Sequence, residues 1–135
     1  MNDQPYVRVS DAMTQQVRMI SALATVKEAT ELMAESQVSS LVVERRDKAD
    51  EFGLLEIADI AAQVIAQNRA PERVNVYEIM SKPVLTLPPD MNIKYAARLL
   101  VKFGLTRALV VDSERHPVGI VTLRDLVLRH AADLS

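Results

Sequence analysis

The stretch GIVTLRDL, residues 119–126, runs from β-branched residues into a helical pattern, with Thr122 and Asp125 at the junction. A second stretch, GLLEIADI at residues 53–60, has the same form, with Glu56 and Asp59 in the equivalent places. A hydroxyl followed three residues later by an acid is also a common helix start. Each junction is therefore either part of a ligand site or an ordinary helix cap. Because the pattern occurs twice, it also indicates that the fold contains a repeat.

The chain aligns with itself when residue 7 is placed on residue 74. The matches are VRVSDAM (7–13) on VNVYEIM (74–80), Lys27 on Lys94, Leu32 on Leu99 and, after one residue of slack, Gly53 on Gly119. Matches that keep their order along both halves indicate a tandem duplication. We assign the first repeat to residues 7–66, a linker to residues 67–73 and the second repeat to residues 74–131.

Both repeats show the same order of predicted elements: an apolar strand, a helix, two strands joined by a polar turn, and a closing helix. Thr25 and Glu28 form a capping-box pattern at the first helix, and Asn92 is the cap expected at its counterpart. The apolar stripe of that second helix is formed by Ile93, Ala96, Ala97, Leu100 and Phe103. The sequence thus predicts an α/β (α+β) fold of two β-α-β-β-α repeats, which pair because one repeat alone buries too little surface.

Composition excludes several classes of protein. The chain has 135 residues, of which 49% are hydrophobic and 4% aromatic, so its core must be aliphatic. A net charge of -2 argues against a general nucleic-acid binder. No cysteine and two histidines make a metal site unexpected. No apolar run is long enough for a membrane span or a signal peptide, so a cytoplasmic location is expected.

Charge is unevenly divided between the two halves. Residues 1–67 contain 6 basic and 11 acidic residues, whereas residues 68–135 contain 10 basic and 7 acidic residues. An anion therefore meets a more favourable field in the second half. Solvated surface charge is the alternative explanation for the same imbalance.

The repeats resemble a tandem pair of cystathionine β-synthase (CBS) domains, a Bateman module. The segments that carry the resemblance are AMTQQVRMISALATVKEATELM (12–33), VSSLVVE (38–44) and GLLEIADI (53–60) in the first repeat, and IMSKPVLTLPPDMNIKYAARLL (79–100), LTRALVVD (105–112) and VGIVTLRDL (118–126) in the second. The resemblance implies a stand-alone regulatory or sensor module that is not an enzyme. It also implies an adenosine-containing ligand (AMP, ADP, ATP or S-adenosylmethionine) in a cleft between the repeats, and a homodimer.

The side chains at the two junctions favour ligand binding, independently of the family resemblance. Free N–H groups at a helix start favour an anion, and the Thr122 hydroxyl can donate to a phosphate oxygen. Asp125 can accept hydrogen bonds from ribose hydroxyls, as an acidic residue does in dinucleotide folds. At the other junction the Glu56 carboxylate would repel a phosphate. We therefore expect unequal sites, with the phosphate at Thr122 and a less negative ligand, or none, at Asp59.

The resemblance assigns further residues to each cleft. The main cleft would use Gln16, Arg18, Val38, Ser39, Thr106 and Arg107 besides Thr122 and Asp125. The second cleft would use Asp59, Pro83, Leu85 and Leu105, with Ser39 shared. An arginine fork suits a phosphate, although Arg107 and Arg18 also fit as surface residues.

Two functions remain open from the sequence. The first is a sensor in which an adenine nucleotide shifts the shape of the module or its dimer, with a partner protein regulated in trans. The second is an interaction module with vestigial clefts that dimerises and docks on another protein. Glu56 favours the second function, and Thr122, Asp125 and Arg107 favour the first.

Overall fold

The structure, a computed structural model, describes residues 6–134. Its helices and strands are α1 (Val9–Ala12), β1 (Met19–Ile20), α2 (Val26–Ser36), β2 (Ser40–Val43), β3 (Gly53–Glu56), α3 (Ile57–Ile60), α4 (Val76–Ile79), β4 (Thr86–Leu87), α5 (Ile93–Phe103), β5 (Arg107–Val111), β6 (Pro117–Thr122) and α6 (Leu123–Leu134). A π-helical turn, Ala61–Ile65, follows α3, and a 3₁₀ turn, Pro71–Arg73, precedes α4. The predicted mixed α/β class with two β-α-β-β-α repeats is confirmed. None of the described helices is long and apolar enough to cross a bilayer.

The chain forms two compact units. The first unit is Arg18–Val84, and the second unit combines the chain up to Val17 with the chain from Leu85 onward. Each unit contains the sheet of one repeat and the two helices that follow its first and last strands. Each also contains the short helix that begins the other repeat, α4 in the first unit and α1 in the second.

The sheet of the first unit has the strand order β1-β2-β3, with β1 parallel to β2 and β2 antiparallel to β3. Parallel neighbours require a crossover, which α2 supplies. Leu41, Val42 and Val43 of β2 are almost fully buried, as expected for a central strand. The main core cluster of this unit includes Val26, Ala29, Met33, Leu41, Val43, Leu55, Val64 and Val76.

The sheet of the second unit repeats this arrangement with the order β4-β5-β6. Strand β4 is parallel to β5, α5 forms the crossover, and β5 is antiparallel to β6. Its core cluster includes Val9, Leu87, Ile93, Ala96, Leu100, Ala108, Val110, Val121 and Leu126. The predicted aliphatic core is therefore present in both units.

The expected helix caps are confirmed. The N–H of Glu28 donates to Thr25 Oγ1 over 3.1 Å and the N–H of Thr25 donates to Glu28 Oε1 over 3.4 Å, which is the reciprocal capping box. The N–H of Lys94 donates to Asn92 Oδ1 over 2.9 Å at the start of α5. These caps fix where the crossover helices begin.

Phe103, the last member of the predicted apolar stripe of α5, does not join the core. Ile93, Ala96 and Leu100 of the same stripe are buried, but Phe103 is 56% exposed. Phe103 is the last residue of α5, and Gly104 ends the helix with a φ of 64°. Because the chain turns away there toward β5, the stripe has no further turn that would carry the Phe103 ring over the sheet.

In each unit a short segment from a distant part of the chain pairs with the strand that leads into the junction, which is β6 or β3. In the second unit the backbone of Thr14 pairs with that of Ile120, through hydrogen bonds of 2.8 and 2.9 Å. In the first unit Ser81 pairs in the same way with Leu54. A Cβ on Gly119 would lie 2.5 Å from Met13 Sδ and 2.9 Å from the Thr14 carbonyl oxygen. The glycine that opens the GIVT pattern is thus required by the close approach of this segment.

Candidate ligand site at the strand-to-helix junctions

Thr122 and Asp125 form a reciprocal capping box where β6 enters α6. The N–H of Thr122 donates to Asp125 Oδ2 over 3.0 Å, and the N–H of Asp125 donates to Thr122 Oγ1 over 3.1 Å. Both side chains are half-buried. The capping role left open by the sequence is therefore present. It leaves the hydroxyl proton of Thr122 and lone pairs of the Asp125 carboxylate for other partners, because the box uses one acceptor site on each side chain.

Thr106 and Arg107 lie beside this junction. Arg107 is the residue of β5 directly opposite Thr122 of β6, so both side chains extend from the same face of the sheet. The carbonyl of Thr106 accepts the N–H of Leu123, the first residue of α6, over 2.9 Å. Arg107 is half-buried, with its Nε atom shielded from solvent. The structure thus brings Thr106, Arg107, Thr122 and Asp125 together at one end of the sheet.

The first unit has an equivalent junction where β3 enters α3. The N–H of Glu56 donates to Asp59 Oδ2 over 2.8 Å. The carbonyl of Ser39 accepts the N–H of Ile57 over 2.9 Å, as Thr106 accepts that of Leu123. Ser40 lies opposite Glu56 in the β2–β3 register, in the place that Arg107 has opposite Thr122. The two junctions therefore share their backbone geometry and differ in their side chains.

The formal charges of the two junctions differ. Arg107 and Asp125 sum to zero, and Thr122 adds a neutral donor. Glu56 and Asp59 sum to −2, and Ser40 adds no positive charge. The helices differ as well, since α6 runs for 12 residues whereas α3 ends after 4 residues in a π-helical turn. The aligned peptide dipoles that favour an anion at a helix start are correspondingly better developed at α6.

The remaining predicted site residues are divided between the units. Gln16 is exposed and belongs to the second unit, two residues beyond the Thr14–Ile120 backbone pair. The first unit holds Arg18, Val38, Ser39, Asp59 and Pro83, and the second unit holds Leu85 and Leu105. The carbonyl of Arg18 accepts the N–H of Val42, and that of Leu85 accepts the N–H of Leu109, each over 2.9 Å. Sequence reasoning did not foresee these backbone roles, because carbonyl partners carry no side-chain signal.

Carboxylates with a clearly lowered pKa lie in turns and short helices away from the two junctions. The N–H of His116 lowers the pKa of Asp112, and the N–H of Asn75 together with the Arg69 guanidinium lowers the pKa of Glu78. The ammonium of Lys82 and the N–H of Arg46 hold the pKa of Asp50 well below its usual range. In residues 6–134, no three histidine, aspartate or glutamate side chains come together as a metal ion would require.

Comparison with known proteins places this geometry in a family. The CBS domain model matches residues 9–65 and again residues 76–131. The chain belongs to the CBS domain family. The model matches two successive segments, so the chain is a tandem CBS module.

Individual relatives agree with this assignment. The chain is 32% identical to the CBS domain-containing protein YhcV of Bacillus subtilis, over 94% of this chain and 88% of that protein. It is 31% identical to the uncharacterized protein MK0525 of Methanopyrus kandleri over 90% of this chain, but it spans only 61% of that protein's length. CBS relatives therefore include both proteins of similar length and longer ones.

Two solved structures show the same fold. The hexameric CBS-CP12 protein from bloom-forming cyanobacteria is 33% identical, with a TM-score of 0.86 over 91% of this chain and 67% of that one. The CBS domain pair of protein MJ0100, solved in complex with 5′-methylthioadenosine and S-adenosyl-L-methionine, is 25% identical. Its TM-score is 0.80 over 95% of this chain and 98% of that one.

Proposed function

We propose that this chain is a regulatory module that binds an adenosine-containing ligand, with its phosphate-accepting site at the Thr122–Asp125 junction. The observation that carries the proposal is the position of Arg107 directly opposite Thr122 at the start of α6. A cation and a hydroxyl donor then extend from one face at the end of the sheet, beside the start of α6. Such a set of donors suits the phosphate of AMP, ADP or ATP.

Asp125 is proposed to recognise the ribose of the ligand. Its carboxylate has about four lone-pair sites, and the capping bond to Thr122 uses one of them. The remaining sites can accept both hydroxyls of a ribose. Because the same carboxylate is held by the box, its position is fixed before a ligand arrives, and little ordering entropy is lost on binding.

The junction at Asp59 is proposed to prefer a different ligand. Glu56 and Asp59 make this end of the first unit acidic, so a phosphate is repelled and a neutral or cationic adenosyl compound is favoured. S-adenosylmethionine carries a sulfonium cation, and 5′-methylthioadenosine is uncharged. The MJ0100 domain pair is described in complex with both compounds, which supports adenosyl binding by this fold.

Regulation, not catalysis, is the proposed output. A ligand that binds one arrangement of the module better than another shifts the population toward that arrangement. An adenosine compound that binds only the folded chain must also raise its melting temperature. A regulated partner protein and a homodimer complete the proposal, in line with the resemblance.

The test is a thermal-shift series on the full chain with AMP, ADP, ATP, S-adenosylmethionine, 5′-methylthioadenosine and, as a control, guanosine monophosphate. We expect a rise in melting temperature with at least one adenosine compound and none with the guanine nucleotide. Mass spectrometry of small molecules released from the native protein identifies a ligand already bound. No response to any adenosine compound, together with no released ligand, would overturn the proposal.

An interaction module is the second candidate function. The observation that favours it is the amount of apolar side chain left exposed on the helices of the second unit. Val101 of α5 is 71% exposed, and Val127 and Leu128 of α6 are 61% and 52% exposed. Exposed apolar side chains that lie close together mark contact surfaces, and Val127 and Leu128 are adjacent on α6.

A further inference from the structure

A cavity in the first unit lies at the end of the sheet opposite the Glu56–Asp59 junction. Strands β1 and β2 are parallel, and the segments that follow them open into this space together with residues in and after α4. The cavity has a volume of about 560 Å³, and the side chains considered below are those of Leu23, Glu44, Arg45, Arg46, Tyr77 and Lys82. Small-molecule sites typically occupy roughly 300–1,000 Å³. We call this site the β2–β3 loop cavity.

Positive charge predominates in the lining of the cavity. Arg45, Arg46 and Lys82 reach it, against a single carboxylate, that of Glu44. The Asp50 carboxylate pairs with two of these cations, at 2.8 Å from Lys82 Nζ and 3.3 Å from Arg46 Nε. Even with Asp50 counted, three positive charges stand against two negative ones. The cavity therefore attracts an anion, although the first half of the chain is acidic in total.

Arg45 is the cation best placed to hold an anion. Its guanidinium carbon lies 4.9 Å from the centre of the Phe52 ring, and Phe52 is buried, so the arginine is held against the core. Among residues 6–134, Arg45 forms no ion pair, and its guanidinium donates to the Lys48 carbonyl over a long 3.5 Å. A half-buried arginine with donors to spare suits a bidentate contact with a phosphate.

The other side of the cavity is apolar. Leu23 is 76% exposed and Tyr77 is 51% exposed, and the half-buried Ala22 and Met80 lie beside them in the lining. The N–H of Tyr77 donates to the Ala22 carbonyl over 3.0 Å, which holds α4 next to the segment after β1. An apolar group bound here would cover side chains that are now in contact with water.

The second unit has a cavity at the equivalent place with the opposite charge. It follows β4 and β5, has a volume of about 420 Å³ and is lined in part by Asp90 and Asp112. Its lining, which lies wholly within the described residues, contains no lysine or arginine. The repeat aligns Asp112 with Arg45 and Asp90 with Leu23. The cationic character therefore comes from the side chains of the first repeat and is not a general property of the fold.

We propose that the β2–β3 loop cavity binds a small phosphate ester that carries an apolar group. Arg45 holds the phosphate through its guanidinium, and Arg46 and Lys82 add positive charge. The apolar group lies against Leu23 and Tyr77. The cavity is at the other end of the sheet from the junction of the same unit, and its recognition needs no adenosine. It is therefore a second kind of ligand site, beyond the function proposed above.

Phenyl phosphate is the probe, and inorganic phosphate and phenol represent its two halves. Binding to the full chain is followed by NMR of the backbone amides, which locates the site. We expect saturable shifts at Leu23, Arg45 and Arg46 with phenyl phosphate, and none at Asp90 and Asp112 of the acidic cavity. Inorganic phosphate is expected to bind more weakly, because it leaves the apolar side uncovered. Phenol, which lacks the charge, is expected to give no saturable shifts.

Arginine variants test the role of the cations. Arg45→Gln is expected to weaken the binding of phenyl phosphate by about tenfold or more, because it removes a hydrogen bond between charged groups. Arg46→Gln changes a side chain that is 82% exposed, and a smaller loss is expected there. Arg73→Gln removes the same charge at an exposed position of the 3₁₀ turn in the same unit, outside the cavity, and should bind like the parent. Circular dichroism confirms that each variant is folded.

Three results would overturn the proposal. The first is the absence of amide shifts around the cavity, including shifts confined to Thr122 and Asp125. The second is unchanged affinity in Arg45→Gln or, if that chain does not fold, in Arg46→Gln. The third is inorganic phosphate that binds as tightly as phenyl phosphate. A chain that binds phenyl phosphate in the cavity but no adenosine compound would keep this site and lose the function proposed above, so the two failures are distinguishable.

Discussion

Thr122 and Asp125 bind each other's backbone N–H groups, so the residues proposed to hold the ligand also fix the start of α6. Asp125→Ala removes the acceptor of the Thr122 N–H, and we expect it to lower the free energy of unfolding by about 1 kcal/mol. Urea denaturation measures the change. Glu72→Ala, at an exposed position outside any cap, is the control. An Asp125→Ala chain as stable as the parent would show that the box adds nothing to stability.

The two junction aspartates permit a matched test of binding. Asp59→Ala removes the acceptor of the Glu56 N–H, just as Asp125→Ala removes that of the Thr122 N–H. Both variants therefore lose the same kind of cap bond. Isothermal titration with AMP is expected to show a loss of affinity in Asp125→Ala and little change in Asp59→Ala, because the charges favour the phosphate at Thr122. Equal losses in the two variants would rule out the asymmetry.

Arg107 is expected to recognise the phosphate and not the nucleoside. Arg107→Gln removes the charge but keeps a long polar side chain at the start of β5. A hydrogen bond to a charged group contributes about 1.5–3 kcal/mol, so we expect AMP affinity to fall by roughly tenfold or more and adenosine affinity to stay the same. Titration with both compounds gives the ratio. If both affinities fell by the same factor, Arg107 would have a structural role instead.

Gly119 is expected to be the least replaceable glycine of the second unit. The Cβ of Gly119→Ala would meet Met13 Sδ at 2.5 Å and the Thr14 carbonyl oxygen at 2.9 Å, and overpacking of this kind costs about 1–3 kcal/mol. Adding Met13→Ala should recover only part of the loss, because the contact with the Thr14 backbone remains. Denaturation of the single and double variants checks this order. Full recovery in the double variant would show that the backbone contact is unimportant.

The residues that identify the two repeats also predict most of the order of helices and strands. The capping signals at Thr25 and Asn92 and the apolar strands were sufficient to predict the element order, because caps and periodicity act within a few residues. The placement of α1 and α4 was not predictable in this way, since both are four-residue helices whose partners lie far away in the sequence. Thr14 pairs with Ile120, for example, through backbone atoms that are the same for every residue type.

The candidate site was predictable only in part, for a related reason. Thr122 and Asp125 are three residues apart, and this spacing predicts a strand-to-helix junction. The position of Arg107 opposite Thr122, in contrast, depends on the β5–β6 register. Phe103 shows a different limit, since a periodic pattern does not report where a helix stops covering its sheet.

Asp50 links the β2–β3 loop of the first unit to Lys82, with the Lys82 Nζ 2.8 Å from Asp50 Oδ2. The Lys82 ammonium and the N–H of Arg46 hold the pKa of Asp50 below its ordinary value of 3.8. A carboxylate with a lowered pKa in the folded state stabilises the fold above its ordinary pKa and loses that effect as the pH falls. Lys82→Ala is therefore expected to have a lower melting temperature than the parent at pH 7.

This difference should narrow as the pH is lowered below about 4, where Asp50 is protonated in the unfolded chain and then in the folded chain. Lys48→Ala, in the same loop, is the control, because Lys48 does not contribute to the lowered pKa of Asp50. Melting curves of the three proteins between pH 7 and acid conditions follow the change. A Lys82→Ala defect that is the same at every pH would mean that the side chain stabilises the loop through packing alone.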